Sequence, residues 1–72
     1  MKLQAQARLG VEKALEMKGI SKWKASITSG MNQNQVARYL SGRNDMTIGN
    51  YERLCEMGLG MPVHVVLEMG RS

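Results

Sequence analysis

The chain has 72 residues, of which 43% are hydrophobic and 22% are charged, and its formal net charge is +4. This length predicts a single domain with a small core, and the composition argues against intrinsic disorder. One cysteine and one histidine exclude an internal disulfide and the usual zinc ligand sets, so we expect no metal and no cofactor. Without a long apolar run or a signal-peptide pattern, the chain is expected to be cytoplasmic and not to cross a membrane.

The first predicted element is a helix over residues 3–17. Leu3, Ala7, Val11 and Leu15 recur there at helical spacing and form one apolar stripe. Gly19 is expected to end this helix, as a glycine after the last turn commonly does. Gly10 lies inside it and weakens the prediction of a continuous helix.

Residues 21–42 predict two short helices joined by a tight turn. Ser21 and Asn32 are the expected N-caps, and Gly30 supplies the unusual backbone conformation that such a turn needs. Gly42 is expected to end the second of these helices. Its predicted apolar face consists of Val36, Tyr39 and Leu40.

The C-terminal third of the chain predicts one further helix and one short element. Thr47 should cap the helix. Its predicted apolar repeat is Ile48, Tyr51, Leu54, Cys55 and Met57. Residues 63–69 are β-branched and fit a strand, but we favour a helix because Pro62 suits a first helical turn. The fold class is therefore expected to be all-α, a compact bundle of four to five helices.

Positive charge is concentrated in the middle of the chain. Residues 17–44 contain five basic side chains and no acidic one, whereas the remainder contains five basic and six acidic side chains. The whole excess charge thus lies on the predicted two-helix unit, where it would attract phosphates or acidic surfaces. The alternative is a solvated basic face without a partner.

The joint spacing of these residues resembles the Cro/CI-type helix-turn-helix family, the small repressors of phages and bacteria. The matching positions are Ser21, Gly30, Met31, Asn32, Val36, Gly42 and residues 48–54. The resemblance implies a lambda-repressor-like helix-turn-helix fold, with the unit at residues 21–42, and a regulator of transcription that binds double-stranded DNA. The sequence departs from the family at Lys22, where Gln is usual, at Ala25 and Ser26, where Leu-Ala is frequent, and at Met46, where Pro is frequent.

The resemblance implies that the first turn of the third helix reads DNA bases. The expected base-reading residues are Gln33, Asn34, Gln35 and Arg38. Amide side chains can bond adenine in the major groove, and arginine favours guanine. Gln33 to Gln35 could alternatively be an ordinary solvated first turn.

Phosphate contacts are expected around the base-reading residues. The candidates are Lys22, Lys24, Asn32, Arg43 and Asn44. Asn32 could serve only as an N-cap. Trp23 could pack beside a sugar-phosphate strand or, as we favour, in the core. Cys55 and His64 are expected to be structural, and Tyr39 and Tyr51 to be core residues with exposed hydroxyls.

A small helix-turn-helix unit contacts few base pairs, so it gains affinity by dimerising on a palindromic operator. The expected two-fold interface consists of Met61, Val63, Val66, Leu67 and Met69. Alternatively, residues 61–69 fold back on the first helix and complete the core. The leading functional expectation is a homodimeric repressor. The alternative is an antitoxin or accessory module that binds a protein partner such as a toxin; an enzyme and an RNA-binding protein are not expected.

Overall fold

The computed structural model describes residues 3–71, and its elements in that range are all helical. They are α1 (Leu3–Lys18), α2 (Lys22–Ser29), α3 (Gln33–Leu40), α4 (Ile48–Arg53), a π-helical segment (Leu54–Leu59) that continues α4, and α5 (Val63–Met69). The all-α prediction is confirmed, and the C-terminal element is a helix rather than a strand.

Local capping sets the start of three helices. The Ser21 Oγ accepts a hydrogen bond from the Lys24 amide at 3.0 Å, and the Asn32 Oδ1 accepts one from the Asn34 amide at 2.8 Å. Thr47 caps α4 in the same way. Between α2 and α3, Gly30 has φ 74°, a left-handed conformation that glycine adopts without strain. The predicted caps and turn are confirmed.

The core lies between α1 and the remaining helices. α1 packs against α5 and α3, and α2 packs against the π-helical segment. Completely or almost completely buried apolar side chains come from five elements: Val11, Ala14, Ala25, Val36, Tyr39, Leu54, Cys55 and Val66. Met46 is also buried and contributes to this core.

Two residues of the predicted α4 repeat are not in the core. Ile48 is 79% exposed and Met57 is 60% exposed. Ile48 is the first residue of α4 and points away from the buried side, which begins at Tyr51. Met57 lies in the segment that changes to π-helical winding at Leu54. In a π-helix each backbone carbonyl bonds the amide five residues on rather than four, which shifts the register of the apolar face.

Glycines allow α1 and α5 to cross at backbone contact. A Cβ atom on Gly10 would overlap the carbonyl of Val66, and one on Gly70 would overlap the carbonyl of Gln6. The Gln6 side chain donates a hydrogen bond to the Leu67 carbonyl at 2.8 Å across this crossing. α1 is continuous through Gly10, so this residue marks a close approach and not a break.

The expected dimer interface is wrong for two of its residues. Val66 has no exposed surface and Met61 is buried, because α5 packs on α1 and closes the core from that side. Val63, Leu67 and Met69 are partly buried against the same core. The segment therefore completes the fold of its own chain, as the alternative interpretation held.

The two tyrosines are buried together with their hydroxyls, so the expectation of exposed hydroxyls is wrong. Tyr51 donates to the Ala7 carbonyl at 2.9 Å. The Tyr39 hydroxyl has no hydrogen-bond partner among residues 3–71. Burial raises the pKa of Tyr39 to about 12, and it raises the pKa of the Cys55 thiol to about 11. A buried thiol with a raised pKa is structural rather than reactive, as expected for Cys55.

Candidate nucleic-acid interface

The first turn of α3 presents three amide side chains to the outside. Gln33, Asn34 and Gln35 are exposed. The opposite side of the helix consists of Val36, Tyr39 and Leu40, which are buried. Because the apolar side anchors α3 to the core, the amides are held on a rigid element rather than on a mobile loop.

Asn32 has a local structural role. Its side-chain oxygen accepts the hydrogen bond from the Asn34 amide that caps α3. This bond uses the acceptor of the Asn32 side chain and leaves its NH₂ group exposed as a donor. The N-cap interpretation is therefore confirmed, and it is compatible with a phosphate contact through the NH₂ group.

Arg38 and Arg43 lie on one surface. Together with Ala37 and Ser41 they line a shallow cleft at the C-terminal end of α3. Arg38 is one helical turn beyond Asn34, so it continues the exposed side that the amides begin. Ser41 is not among the predicted site residues; its only signal in the sequence is a hydroxyl residue directly after the last turn, where the Ser41 Oγ donates to the Arg38 carbonyl at 3.0 Å.

The three lysines of the acid-free stretch, residues 17–44, differ in their surroundings. Lys18 donates to the Leu59 carbonyl at 2.9 Å and is thereby engaged within the fold. Lys22 lines a cleft with Glu12 and Glu16 of α1. It therefore has acidic neighbours in the folded chain, although it has none close to it in the sequence. Lys24 is exposed, and only its backbone is engaged in the capping of α2.

Trp23 is 55% exposed, so the expectation that it packs in the core is wrong. The buried side of α2 consists of small residues, Ala25, Ser26 and Ser29. That side lies so close to the π-helical segment that a Cβ on Gly58 would come within 2.9 Å of the Ala25 carbonyl. Backbones at this separation leave no room for an indole, and Trp23 is turned to the surface.

Lys24, Arg38 and Arg43 take part in no ion pair among residues 3–71. In residues 3–71 the ion pairs are Arg8 with Asp45, at 3.4 Å, and Arg71 with Glu68, at 3.3 Å. Neither pair includes Lys24, Arg38 or Arg43. Asn44, the remaining candidate, is exposed in the loop between α3 and α4. The positive potential of this side is therefore available to an external anion.

Within residues 3–71, no three His, Cys, Asp or Glu side chains are grouped so that they could hold a metal ion. In the same range, no helix combines the length and apolarity needed to cross a bilayer.

Comparison with known proteins gives no relative for this chain: no family model, no curated protein and no solved structure matches it. The roles of the α2 and α3 side chains are therefore inferred from their own geometry and chemistry.

Proposed function

We propose that the protein is a sequence-specific transcriptional regulator that inserts the first turn of α3 into the major groove of double-stranded DNA. The observation that carries the proposal is the two-sided character of α3. Its apolar side is buried, and the rest of its first turn presents consecutive exposed amides; Arg38 and Arg43, which have no ion-pair partner among residues 3–71, follow at its C-terminal end. Amide and arginine side chains on a helix that enters the major groove can bond the edges of bases there.

Base selection is assigned to the exposed side of α3. Gln33 and Asn34 can each form two hydrogen bonds to adenine, and each such pair contributes about 1–3 kcal/mol of discrimination. Arg38, one turn further along, can bond guanine in the same way. Gln35 completes the set of amides on this turn. The proposed preference is therefore for adenine next to the N-terminus of α3 and guanine one turn away.

Phosphate contacts hold the helix in register without selecting a sequence. Lys24 on α2 and Arg43 after α3 are the strongest candidates because both are exposed cations outside the described ion pairs. The Asn32 NH₂ group and Asn44 add neutral donors. Lys22 is a weaker candidate, since Glu12 and Glu16 line the same cleft and compete for its ammonium group.

We further propose that the regulator is a homodimeric repressor that occludes a promoter. One α3 covers few base pairs, and two-fold pairing on half-sites about one helical turn apart supplies the missing affinity. Since Met61 and Val66 are in the core, the proposed contact is an apolar groove lined by Leu3, Ile48, Val63 and Leu67. Its volume of about 190 Å³ is below that of common small-molecule sites, which suits an apolar side chain of a second copy.

Selection of bound sequences from a random pool of duplex DNA tests the proposal. The expected result is an enriched inverted repeat, which would establish both sequence preference and two-fold symmetry. Light scattering of the protein alone at tens of micromolar provides the independent measure of dimerisation.

The double variant Gln33→Ala, Asn34→Ala should lose the preference for the selected sequence by about thirtyfold to twenty-thousandfold, since each residue contributes about 1–3 kcal/mol of discrimination. It should keep salt-dependent binding to unrelated duplexes, because the phosphate contacts remain. Its thermal unfolding should match that of the original protein, since both side chains are exposed. If the selected sequence is still preferred by the folded double variant, α3 does not read it.

One observation favours a second candidate function. Ile27, on the outer side of α2, is 53% exposed, and Met57 of the π-helical segment is also largely exposed. Neither belongs to the proposed DNA surface, and exposed apolar side chains suit a protein contact. The candidate is an antitoxin or accessory module, tested by co-expression with the product of the adjacent gene and gel filtration of the two chains.

A further inference from the structure

We infer that Trp23 is a non-ionic anchor for the DNA backbone: its indole packs on a deoxyribose, and its Nε1–H donates to a phosphate oxygen. This inference rests on the proposed function and names a contact that positions the reading helix. The starting observation is that the single Trp of the chain is more than half exposed, although large aromatic side chains are mostly buried.

The position of Trp23 on α2 is fixed by the packing of that helix. Successive residues of an α-helix are rotated by about 100°, so Trp23 is turned away from Ala25 and Ser29, which face the π-helical segment. The N-cap bond from Ser21 fixes the turn that carries it. Trp23 is thus held at the surface by the close contact of the neighbouring backbones.

The distance from Trp23 to the turn between α2 and α3 matches the dimensions of DNA. α2 has eight residues, and at about 1.5 Å per residue its first turn lies about 10 Å from the turn at Gly30. The major groove is about 12 Å wide. With the first turn of α3 inside the groove, the first turn of α2 lies over the sugar-phosphate strand that borders it, as the first helix of such a unit does.

The chemistry around Trp23 suits this strand better than an acidic protein segment. Lys24 follows it as an exposed cation outside the described ion pairs. A sugar-phosphate strand repeats an apolar sugar and an anionic phosphate at every nucleotide, which matches an indole face next to an ammonium group. The indole also supplies one N–H donor, and phosphate oxygens accept such bonds.

A non-ionic contact has a distinct signature. An ammonium–phosphate contact releases a counterion, so its loss lowers the slope of log affinity against log salt by about 1. An indole on a sugar releases none. Loss of Trp23 should therefore weaken binding by a similar factor at every salt concentration and leave the slope unchanged.

The experiment measures binding of a mixed-sequence duplex of about two helical turns across a salt series, for the original protein, Trp23→Ala, Trp23→Phe and Lys24→Met. Trp23→Ala should bind about fivefold to tenfold more weakly at every salt concentration, as expected for about 50 Å² of apolar surface left unburied. Trp23→Phe should retain part of the affinity, because it keeps the ring and loses the N–H. Lys24→Met should lower the slope by about 1. The Trp23 emission of the original protein should change when duplex is added.

Four results would overturn the inference. Unchanged affinity of Trp23→Ala, or unchanged emission of the original protein on a bound duplex, would show that Trp23 lies off the DNA and leave it to a protein partner, while the proposed function stands. A reduced slope of log affinity against log salt for Trp23→Ala would show that Trp23 affects binding only through the neighbouring lysines. Absence of any duplex binding by the original protein would remove the proposed function together with the inference. Matching thermal midpoints of the four proteins control for folding.

Discussion

The polar side chains of α1 differ in use from those of the α2–α3 surface, which consists of Ser21, Lys24, Asn32, Gln33, Asn34, Gln35, Arg38 and Arg43. Gln6, Arg8 and Lys18 of α1 each donate to a backbone carbonyl more than thirty positions away in the sequence, namely that of Leu67, Tyr39 and Leu59 respectively. On the α2–α3 surface, the side-chain hydrogen bonds of Ser21 and Asn32 stay within one helical turn.

The three carbonyls that α1 engages share a structural position. Tyr39 is in the last turn of α3, Leu59 ends the π-helical segment, and Leu67 is in the last turn of α5. The last carbonyls of a helix have no partner inside the helix and carry partial negative charge. α1 therefore caps the C-terminal ends of three other elements, which makes it the organising helix of the fold.

Two lysines that are equivalent in a count of charges have different roles in the structure. Lys18 and Lys24 lie in the same acid-free stretch, yet one is bonded to a carbonyl and the other is exposed and outside the described ion pairs. The same types of side chain hold the fold together where they meet helix ends and are available to a ligand where they do not. Substitutions on the two sides should therefore affect different properties of the protein.

The largest effect is expected where α1 and α5 cross. Gly10→Ala would place a methyl group on the Val66 carbonyl, and because both helices are fixed at this point by backbone contact, we expect a loss of about 3 kcal/mol in the free energy of unfolding. Urea unfolding followed by circular dichroism measures it. DNA binding of Gly10→Ala should fall only in proportion to the fraction of unfolded protein.

Gly49→Ala is the matched control. Gly49 is also inside a helix, but a Cβ there meets no atom within 4 Å, and its φ is not positive. Alanine should raise the free energy of unfolding by about 0.5–1 kcal/mol through its higher helix propensity. Equal stability of Gly10→Ala and the original protein would show that α1 and α5 do not approach so closely.

The two tyrosines give a smaller, paired effect. Tyr51→Phe removes the hydrogen bond to the Ala7 carbonyl and should lower the free energy of unfolding by about 1 kcal/mol. Tyr39→Phe removes a buried hydroxyl without a partner in residues 3–71, so at neutral pH it should be neutral or stabilising. Its ring contacts, edge-to-face with Tyr51 and beneath Arg8, are kept by phenylalanine.

Alkaline pH tests the same hydroxyl. Because burial raises the pKa of Tyr39 from 10.0 to about 12, ionisation of its hydroxyl favours the unfolded chain, so the free energy of unfolding is unaffected by this group below pH 10 and falls as the pH rises from 10 to 12. Tyr39→Phe should therefore lose less stability than the original protein over this interval, while the fall that begins near pH 9 from Cys55 remains in both. Parallel urea midpoints for the two proteins up to pH 12 would mean that the hydroxyl ionises without penalty.

The helix boundaries could be predicted from the sequence because their causes are local. Ser21, Asn32 and Thr47 each bond an amide two or three positions away, and Gly30 adopts the left-handed turn that its own backbone permits. The exposed amides of α3 were predictable for the same reason, since the spacing of the buried side determines which side is left outside.

The errors arose where the cause lies in the packing of another element or in a change of helical winding. Trp23 is exposed because of the close contact between α2 and the π-helical segment, and Met57 is exposed because the helix changes its winding. The acidic side chains near Lys22 come from α1, so the acid-free stretch overstates the charge around this lysine. A periodicity of 3.6 residues and a charge count along the chain contain none of this information.

The smallest effect, and the most direct test of the comparison, concerns the two lysines. Lys18→Met removes the hydrogen bond to the Leu59 carbonyl and should lower the free energy of unfolding by about 1 kcal/mol. Lys24→Met should change it by less than about 0.5 kcal/mol, since the side chain is exposed and only the backbone takes part in the cap. Both substitutions remove one positive charge and keep a long apolar side chain.

Duplex affinity should show the reverse order. Lys24→Met should weaken binding and reduce its salt dependence, whereas Lys18→Met should leave the salt dependence almost unchanged, because the hydrogen bond to the Leu59 carbonyl holds its ammonium group at the end of the π-helical segment, which is not part of the proposed DNA surface. Equal losses of affinity in the two variants would mean that the protein attracts DNA by net charge alone. In that case the distinction between bonded and available cations would not determine binding, and no particular surface of the fold could be assigned to DNA from its charges.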